Sequence, residues 1–320
     1  MKILIVGYSK IVQNRVLPAL AKMPEVTGID IASRSNAGAV AAAKHRFQGV
    51  FDDYAAAFSH SGADLAYIST INSTHGALVE QALQRGMHVI VDKPACTSFD
   101  ESRRMIDLAR RKKLCLAEAT VYAYHAQIGL IRGAFREAQS SPTRLTAVFS
   151  FPPLEQDNFR YRKELGGGAL LDLGPYAVSV ARVFFDNAQL LDMSCTVVSR
   201  GGTDNLETAF SMTALYSHGR SMVGHFGFDT GYRNTVNLLG PGMSADIHRI
   251  FTTPADMVNE IKVQHNNTAS VVPVPACDNF LMFLNQVAAA IKKGDHSAFV
   301  SDMEYDAHAL HVLRSSAQEA

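Results

Sequence analysis

The sequence predicts an α/β protein with an N-terminal doubly wound parallel (Rossmann) sheet, followed by an α+β domain with a large, mostly antiparallel sheet. In the first third of the chain, short apolar strands alternate with helical segments, the pattern of a parallel sheet. From about Thr143 onward the strand-like runs are longer, several alternate apolar and polar residues, and glycine-containing turns separate them. With 320 residues the chain is long enough for two cores, and we expect domains at residues 1–121 and 122–320.

The composition favours a globular protein that binds a small molecule. Hydrophobic residues make up 47% of the chain and charged residues 19%, which argues against disorder. The 30 basic and 30 acidic residues cancel, so we expect no overall attraction for nucleic acid or for an anionic membrane. We expect the chain to open on a strand rather than a signal peptide, and no stretch approaches the roughly 20 apolar residues that cross a bilayer.

The 4 cysteines are far apart and lack the spacing of metal ligands. We therefore expect reduced, mostly buried thiols, a cytoplasmic protein and no metal site.

The first strand, Lys2 to Val6, leads through Gly7 into a helix that begins near Ile11. This strand-turn-helix context is typical of a dinucleotide site, where backbone N–H groups hold the pyrophosphate. The glycine fingerprint G-x-G-x-x-G keeps only its first glycine, because Ser9 and Val12 occupy the other two positions. We expect Ser9 to let a phosphate approach, Val12 to hold the helix further from the sheet, and Pro18 to kink that helix.

The residues at the end of the second strand indicate whether the protein prefers NAD or NADP. An NAD enzyme places Asp or Glu there to accept hydrogen bonds from the ribose hydroxyls. This chain has Ser33 and Arg34 instead, a hydroxyl and a guanidinium that match a 2′-phosphate. The pair favours NADP, with NAD as the alternative cofactor, although Arg34 as an ordinary surface arginine in a turn is the competing interpretation.

The stretch His88 to Cys96 places charge where a buried strand ends. Val89, Ile90 and Val91 form a strand buried on both faces, and Asp92 and Lys93 follow at once. Ligands of open parallel sheets bind at the carboxyl ends of the strands, so Lys93 is our first candidate for chemistry. The alternative is a lysine that simply reaches water.

Gly166 to Tyr176 is the informative stretch of the second domain. Three consecutive glycines predict a mobile loop or a backbone that approaches a ligand closely. Asp172 and Tyr176, four residues apart, could share a helix face, but Pro175 indicates that the helix begins near Gly174. In isolation, Tyr176 would more often be an ordinary half-buried tyrosine.

Three motifs in one order resemble the Gfo/Idh/MocA oxidoreductase family, whose patterns are T-P-N-x-x-H, G-x-H-V-x-x-E-K-P and G-G-G-x-x-x-D-x-G-x-H/Y. This chain reads Thr70-Ile71-Asn72-Ser73-Thr74-His75, then Gly86 to Pro94, then Gly166 to Tyr176. Asp92 stands in place of the usual glutamate and Ile71 in place of the usual proline. Tyr176 instead of histidine resembles the branch with glucose-fructose oxidoreductase, dihydrodiol dehydrogenases and nucleotide-sugar 3-ketoreductases.

The resemblance implies roles for these side chains. Reduction of a ketone by NADPH needs a proton donor, and Tyr176 would serve, with the Lys93 cation favouring the phenolate left behind. Asp172 would orient Lys93 or a substrate hydroxyl, and His75 would be a second donor or a loop anchor. Arg160 and Tyr161, with His125, would contact substrate. The predicted cofactor contacts are Gly7, Tyr8, Ser9, Ile11, Ser33, Arg34, Ser69, Thr70, Asn72, His75, Asp92 and Lys93.

We therefore expect an NADP(H)-dependent oxidoreductase that transfers a hydride to or from a sugar or nucleotide-sugar carbonyl or alcohol. One alternative is oxidation of a free sugar or a diol. Another is a cofactor-binding sensor without turnover, which the altered glycine turn supports and the presence of both Lys93 and Tyr176 opposes. The open face of the large sheet is expected to pair subunits into a homodimer or homotetramer.

Overall fold

A computed structural model describes residues 1–186 and 188–320, and it confirms the predicted fold class. The chain divides into two compact units. The first contains Met1–Ala119 and Phe280–Glu304, and the second contains Thr120–Asn279 and Tyr305–Ala320. The segment Phe280–Glu304, which the sequence assigned to the second domain, thus belongs to the first unit.

Side-chain packing explains why Phe280–Glu304 joins the first unit. Val300 and Met303 are buried in the same apolar cluster as Ile106. Arg110 donates two hydrogen bonds to Glu304, at 2.6 and 2.5 Å. Residues about 200 positions apart make these contacts, so local sequence patterns could not predict them.

The described residues of the first unit form a six-stranded parallel sheet in the order β3-β2-β1-β4-β5-β6. Its strands are β1 Lys2–Val6, β2 Gly28–Ala32, β3 Val50–Phe51, β4 Leu65–Ile68, β5 His88–Val91 and β6 Leu116–Glu118. The connecting helices are α1 Leu17–Leu20, α2 Ala37–Ala41, α3 Tyr54–His60, α4 His75–Gln84 and α5 Phe99–Lys112. The order reverses between β1 and β4, which makes their carboxyl ends the expected ligand edge.

The helix after the glycine turn begins with a π-helical turn, Val12–Val16, in which Leu17 N–H donates to the carbonyl of Val12. This wider turn shifts the hydrogen-bond partners by one residue. Pro18 follows this turn, in the first turn of α1. Val12, the first residue of the π-helical turn, is fully buried.

The described residues of the second unit form a nine-stranded sheet in the order β14-β13-β12-β11-β7-β10-β9-β8-β15. The strands are β7 Arg144–Ser150, β8 Leu190–Gly201, β9 Leu206–Tyr216, β10 Arg220–Gly227, β11 Arg233–Gly240, β12 Met243–His248, β13 Asn259–His265, β14 Thr268–Val274 and β15 Ala317–Glu319. β7 pairs in parallel with β10, and β8 with β15, while the other neighbours are antiparallel. The strand-like runs of the sequence predicted β7 to β11 but not β12 to β15.

The remaining helices are α6 Ala126–Glu137, α7 Ala169–Asp172, α8 Gly174–Phe184, α9 Asn279–Lys293 and α10 Ser297–Ser315. α6 and α8 pack on the large sheet within one apolar cluster that includes Ile131, Val180 and Phe226. Leu215, Val223, Leu239 and Val271 of the sheet remain 52–54% exposed. None of the helices that the described residues form is long and apolar enough to cross a membrane.

Candidate functional site

The turn after β1 is tight because the chain passes close to the end of β4. Gly7 has φ +97°, and a Cβ there would lie 2.1 Å from the carbonyl oxygen of Ser69. The Ser9 hydroxyl accepts a hydrogen bond from Val12 N–H at 3.1 Å and lies 2.7 Å from the Ser69 hydroxyl. One glycine and one serine thus produce a compact turn that fits a dinucleotide phosphate, despite the altered fingerprint.

Tyr8 and Ile11, two of the predicted cofactor contacts, differ in solvent exposure. The Tyr8 ring is buried and meets the edge of Phe47, with ring centroids 6.3 Å apart, and its carbonyl accepts hydrogen bonds from Gln13 and Asn36. Ile11 is 43% exposed. Tyr8 therefore stabilises the turn from inside, and Ile11 offers an apolar surface beside it.

Ser33 and Arg34 follow β2. Ser33 is buried, and its backbone N–H donates to the carbonyl of Phe51 at 2.9 Å. The Arg34 guanidinium lies 4.4 Å above the Tyr54 ring and 3.8 Å from the Asp53 carboxylate, with 62% of the side chain exposed. An accessible guanidinium at the end of β2 has the chemistry that a 2′-phosphate requires, so these residues fit NADP.

A chain of hydrogen bonds links the glycine turn to the strand that carries Lys93. Asp92 accepts hydrogen bonds from the Tyr67 hydroxyl, at 2.9 Å, and from the Ser69 hydroxyl, which in turn contacts Ser9. Burial raises the pKa of Asp92, opposed chiefly by the Ser69 hydrogen bond and by the nearby charges of His75 and Lys93. Asp92 thus lies beneath the ligand edge and fixes the strand end from which Lys93 projects.

His75 connects the loops that follow β4 and β5. The side chain is wholly buried, with Nδ1 2.8 Å from the carbonyl oxygen of Pro94 and Nε2 3.1 Å from that of Thr70. The Thr70 hydroxyl lies 2.7 Å from the Thr74 hydroxyl, and Asn72 is also buried. These contacts fit the loop-anchor role better than that of a second proton donor.

In the second unit, the triple glycine packs against its own chain. Gly168, at φ +98°, donates its N–H to the carbonyl of Arg160 at 2.9 Å. A Cβ at Gly167 would lie 2.5 Å from the same oxygen. Only glycine permits this approach, so the loop packs closely against residues 160–162.

Arg160 and Asp172 form a bidentate ion pair, from Nε to Oδ2 at 2.6 Å and from Nη2 to Oδ1 at 3.3 Å. Their side chains are 26% and 7% exposed. Burial opposes the charge of Arg160, but Asp172 and the nearby Tyr176 raise its pKa overall. Both carboxylate oxygens of Asp172 thus accept hydrogen bonds from Arg160, which the sequence had predicted as a substrate contact. Asp172 is the last residue of α7 and Tyr176 lies on α8, so the two residues do not share a helix.

Tyr176 lies in the first turn of α8, which begins at Gly174 with Pro175 next, as Pro175 indicated. Its ring packs in an aromatic cluster with Phe149, Phe251 and Tyr122, whose centroids are 5.2, 5.4 and 6.0 Å away. Local sequence carried no signal that Phe149 or Tyr122 joins this cluster. The ring of Tyr176 is therefore held by contacts on several sides.

The other two predicted substrate contacts are mostly buried. The Tyr161 hydroxyl accepts from Leu154 N–H at 3.1 Å, and the side chain lines a cavity of about 530 Å³ with Phe228, Thr208 and Arg200. His125 caps α6, because its Nδ1 accepts from Gln127 N–H at 3.2 Å. Across residues 1–186 and 188–320, no group of three or more His, Cys, Asp or Glu side chains could hold a metal ion.

Comparison with known proteins identifies the class of protein. Residues 1–120 match the oxidoreductase family with an NAD-binding Rossmann fold, and residues 140–245 match the GFO/IDH/MocA C-terminal domain. The chain belongs to the Gfo/Idh/MocA oxidoreductase family, as its motifs predicted, and is a nicotinamide-dinucleotide-dependent oxidoreductase.

The relatives include sugar-modifying enzymes. The chain is 30% identical over 295 residues to dTDP-3,4-didehydro-2,6-dideoxy-alpha-D-glucose 3-reductase of Saccharopolyspora spinosa, covering 91% of this chain and 87% of that protein. It is 30% identical over 228 residues to D-xylose 1-dehydrogenase (NADP(+)) 2 of Haloferax volcanii, covering 71% and 69%. The structure of a 3-ketoreductase from Actinomadura kijaniata in complex with NADP and TDP-benzene matches with a TM-score of 0.91 at 25% identity, covering 100% and 98%.

Proposed function

We propose that this protein is an NADP(H)-dependent reductase of a nucleotide-sugar ketone. The observation that carries the proposal is its similarity to the nucleotide-sugar 3-reductases, which extends over nearly the whole of both chains. The exposed guanidinium of Arg34 supports NADP over NAD. Free-sugar oxidation is the second candidate, because D-xylose 1-dehydrogenase (NADP(+)) 2 is also a relative. The presence of both Lys93 and Tyr176 argues against the sensor alternative.

Tyr176 is the proposed proton donor. NADPH supplies the hydride when bound, and the ketone oxygen then needs a proton. The Tyr176 hydroxyl donates that proton, and its ring is held in place by Phe149 and Phe251. Arg160 lies within electrostatic range of Tyr176. Because a neighbouring cation stabilises a phenolate, Arg160 favours the form of Tyr176 that remains after donation.

Lys93 is the proposed electrostatic helper. Its ammonium stabilises negative charge that develops on the ketone oxygen during reduction. Asp92 stabilises the end of β5 through Tyr67 and Ser69, and His75 anchors the loop that includes Pro94. We assign these two residues to positioning, and Asp172 to holding Arg160.

Substitution of Tyr176 and Lys93 tests these roles. We expect Tyr176→Phe and Lys93→Met each to lower kcat by about 100-fold or more with little change in the NADPH dissociation constant. Tyr122→Phe is the matched control, because it removes a tyrosine hydroxyl from the same aromatic cluster. That hydroxyl contacts Ser179. Activity is measured as NADPH oxidation with TDP-keto-sugars, free keto-sugars and aldoses.

Two outcomes would contradict the proposal. Near-normal turnover by Tyr176→Phe would remove this tyrosine from proton donation. Turnover confined to free sugars or diols would replace the nucleotide-sugar assignment with the second candidate.

We also propose that the enzyme is cytoplasmic and pairs with a second copy through the large sheet. The described cysteines are free thiols, as expected in a reducing compartment. Leu215 on β9, Val223 on β10 and Leu239 on β11 are more than half exposed on one sheet. We expect light scattering to give a dimer or tetramer that Val223→Asp dissociates, and a monomeric wild type would refute the pairing.

A further inference from the structure

Arg34 is held by two neighbours from the start of α3. The Tyr54 ring lies under its guanidinium at 4.4 Å. Asp53 places Oδ2 3.8 Å from the guanidinium, while its Oδ1 accepts from Ala56 N–H at 2.8 Å. Tyr54 packs against the apolar cluster of the first unit, and Asp53 is the N-cap of α3, so both residues are held independently of Arg34.

We propose that Tyr54 and Asp53 are specificity-determining residues that set the preference for NADPH over NADH by acting on Arg34 in opposite directions. Tyr54 orients the guanidinium before the cofactor binds, and Asp53 partly neutralises it. The inference rests on the proposed function only in that Arg34 contacts the 2′-phosphate.

The effect of Tyr54 follows from preorganisation. An exposed arginine has many rotamers, and binding a phosphate orders it at a cost in free energy. The ring beneath the guanidinium limits those rotamers in advance and leaves the N–H groups at the edge of the plane accessible to an anion. NADH lacks the 2′-phosphate, so its affinity depends little on how Arg34 is oriented.

The effect of Asp53 follows from its charge. A carboxylate 3.8 Å from the guanidinium competes with a phosphate for the same cation and repels the phosphate directly. Asparagine is an equally good helix N-cap, so Asp53→Asn removes the charge without removing the cap. Tyr54 and Asp53 therefore affect the selectivity with opposite signs.

The test measures NADPH and NADH dissociation constants by titrating nicotinamide fluorescence, which is simple in a chain with 0 tryptophans. We expect Tyr54→Leu to weaken NADPH binding about five- to tenfold and NADH binding less than twofold, from lost cation–π contact and lost preorganisation. Tyr54→Phe, which keeps the ring, should weaken NADPH binding only about twofold. Asp53→Asn should tighten NADPH binding about two- to fivefold and leave NADH binding nearly unchanged.

Arg34→Ala separates this inference from the function on which it rests. If Arg34→Ala weakens NADPH and NADH equally, Arg34 does not read the 2′-phosphate, and both the NADP assignment to Arg34 and the inference fail. If Arg34→Ala is selective but Tyr54→Leu weakens both cofactors equally, or Asp53→Asn leaves their ratio unchanged, the inference alone is overturned. In the double mutant, Tyr54→Leu added to Arg34→Ala should cause no further selective loss of NADPH affinity. A tyrosine with a purely structural role would instead have the same effect on affinity with Arg34 present or absent.

Discussion

The Arg160–Asp172 ion pair makes a quantitative prediction about stability. Arg160→Met removes both hydrogen bonds that Arg160 donates to Asp172, whose side chain is 7% exposed. Breaking a buried ion pair costs about 3–5 kcal/mol. Because the Arg160 side chain is 26% exposed, we expect the lower end, about 3 kcal/mol of unfolding free energy. This corresponds to a change of about 100-fold in the folding equilibrium.

A double-mutant cycle measured by urea unfolding gives the test. Arg160→Met with Asp172→Leu removes both members of the pair, so its loss should be smaller than the sum of the single losses by about 2 kcal/mol. Arg162→Met is the matched control, since the Arg162–Glu164 pair is 46% and 57% exposed and should contribute under about 1 kcal/mol. If Arg160→Met costs no more than Arg162→Met, the pair is not a structural support for α7 and the glycine loop.

Two further predictions concern the first unit. Burial raises the pKa of Asp92 in the folded state, so the folded protein favours the protonated carboxyl. The stability that Asp92 contributes in this form is therefore complete below the unfolded pKa of about 3.9, and it is lost as the pH rises through the folded pKa. The Tm of the wild type relative to Asp92→Asn should therefore fall over that range and then stay constant, and a rise would refute the shift. Gly7→Ala should cost at least about 2 kcal/mol and abolish NADPH binding, because its Cβ would lie 2.1 Å from the Ser69 oxygen. Gly62→Ala, at φ +63° and with open space around the Cβ, should cost only about 1 kcal/mol, and equal losses would show that the close approach at Gly7 does not matter.

The sequence was sufficient for features that depend on local pattern. Alternating strands and helices predicted the parallel sheet, period-two runs predicted β7 to β11, and Pro175 indicated the start of α8. The family motifs identified the oxidoreductase class that the comparisons confirm. The roles predicted for Lys93, Tyr176 and Arg34 remain predictions, which the substitutions above test.

Contacts between distant segments were decided only by the tertiary structure. Arg160 and Asp172 are separated in sequence by the glycine loop, and no local pattern predicted that they form an ion pair. Arg34 and Tyr54 follow different elements, and residues 280–304 pack on a unit whose other segment ends at Ala119. Periodicity reports which residues are buried, because burial repeats with the geometry of a strand or helix. It carries no information on which buried or charged side chain meets which, since that depends on how the elements pack in space.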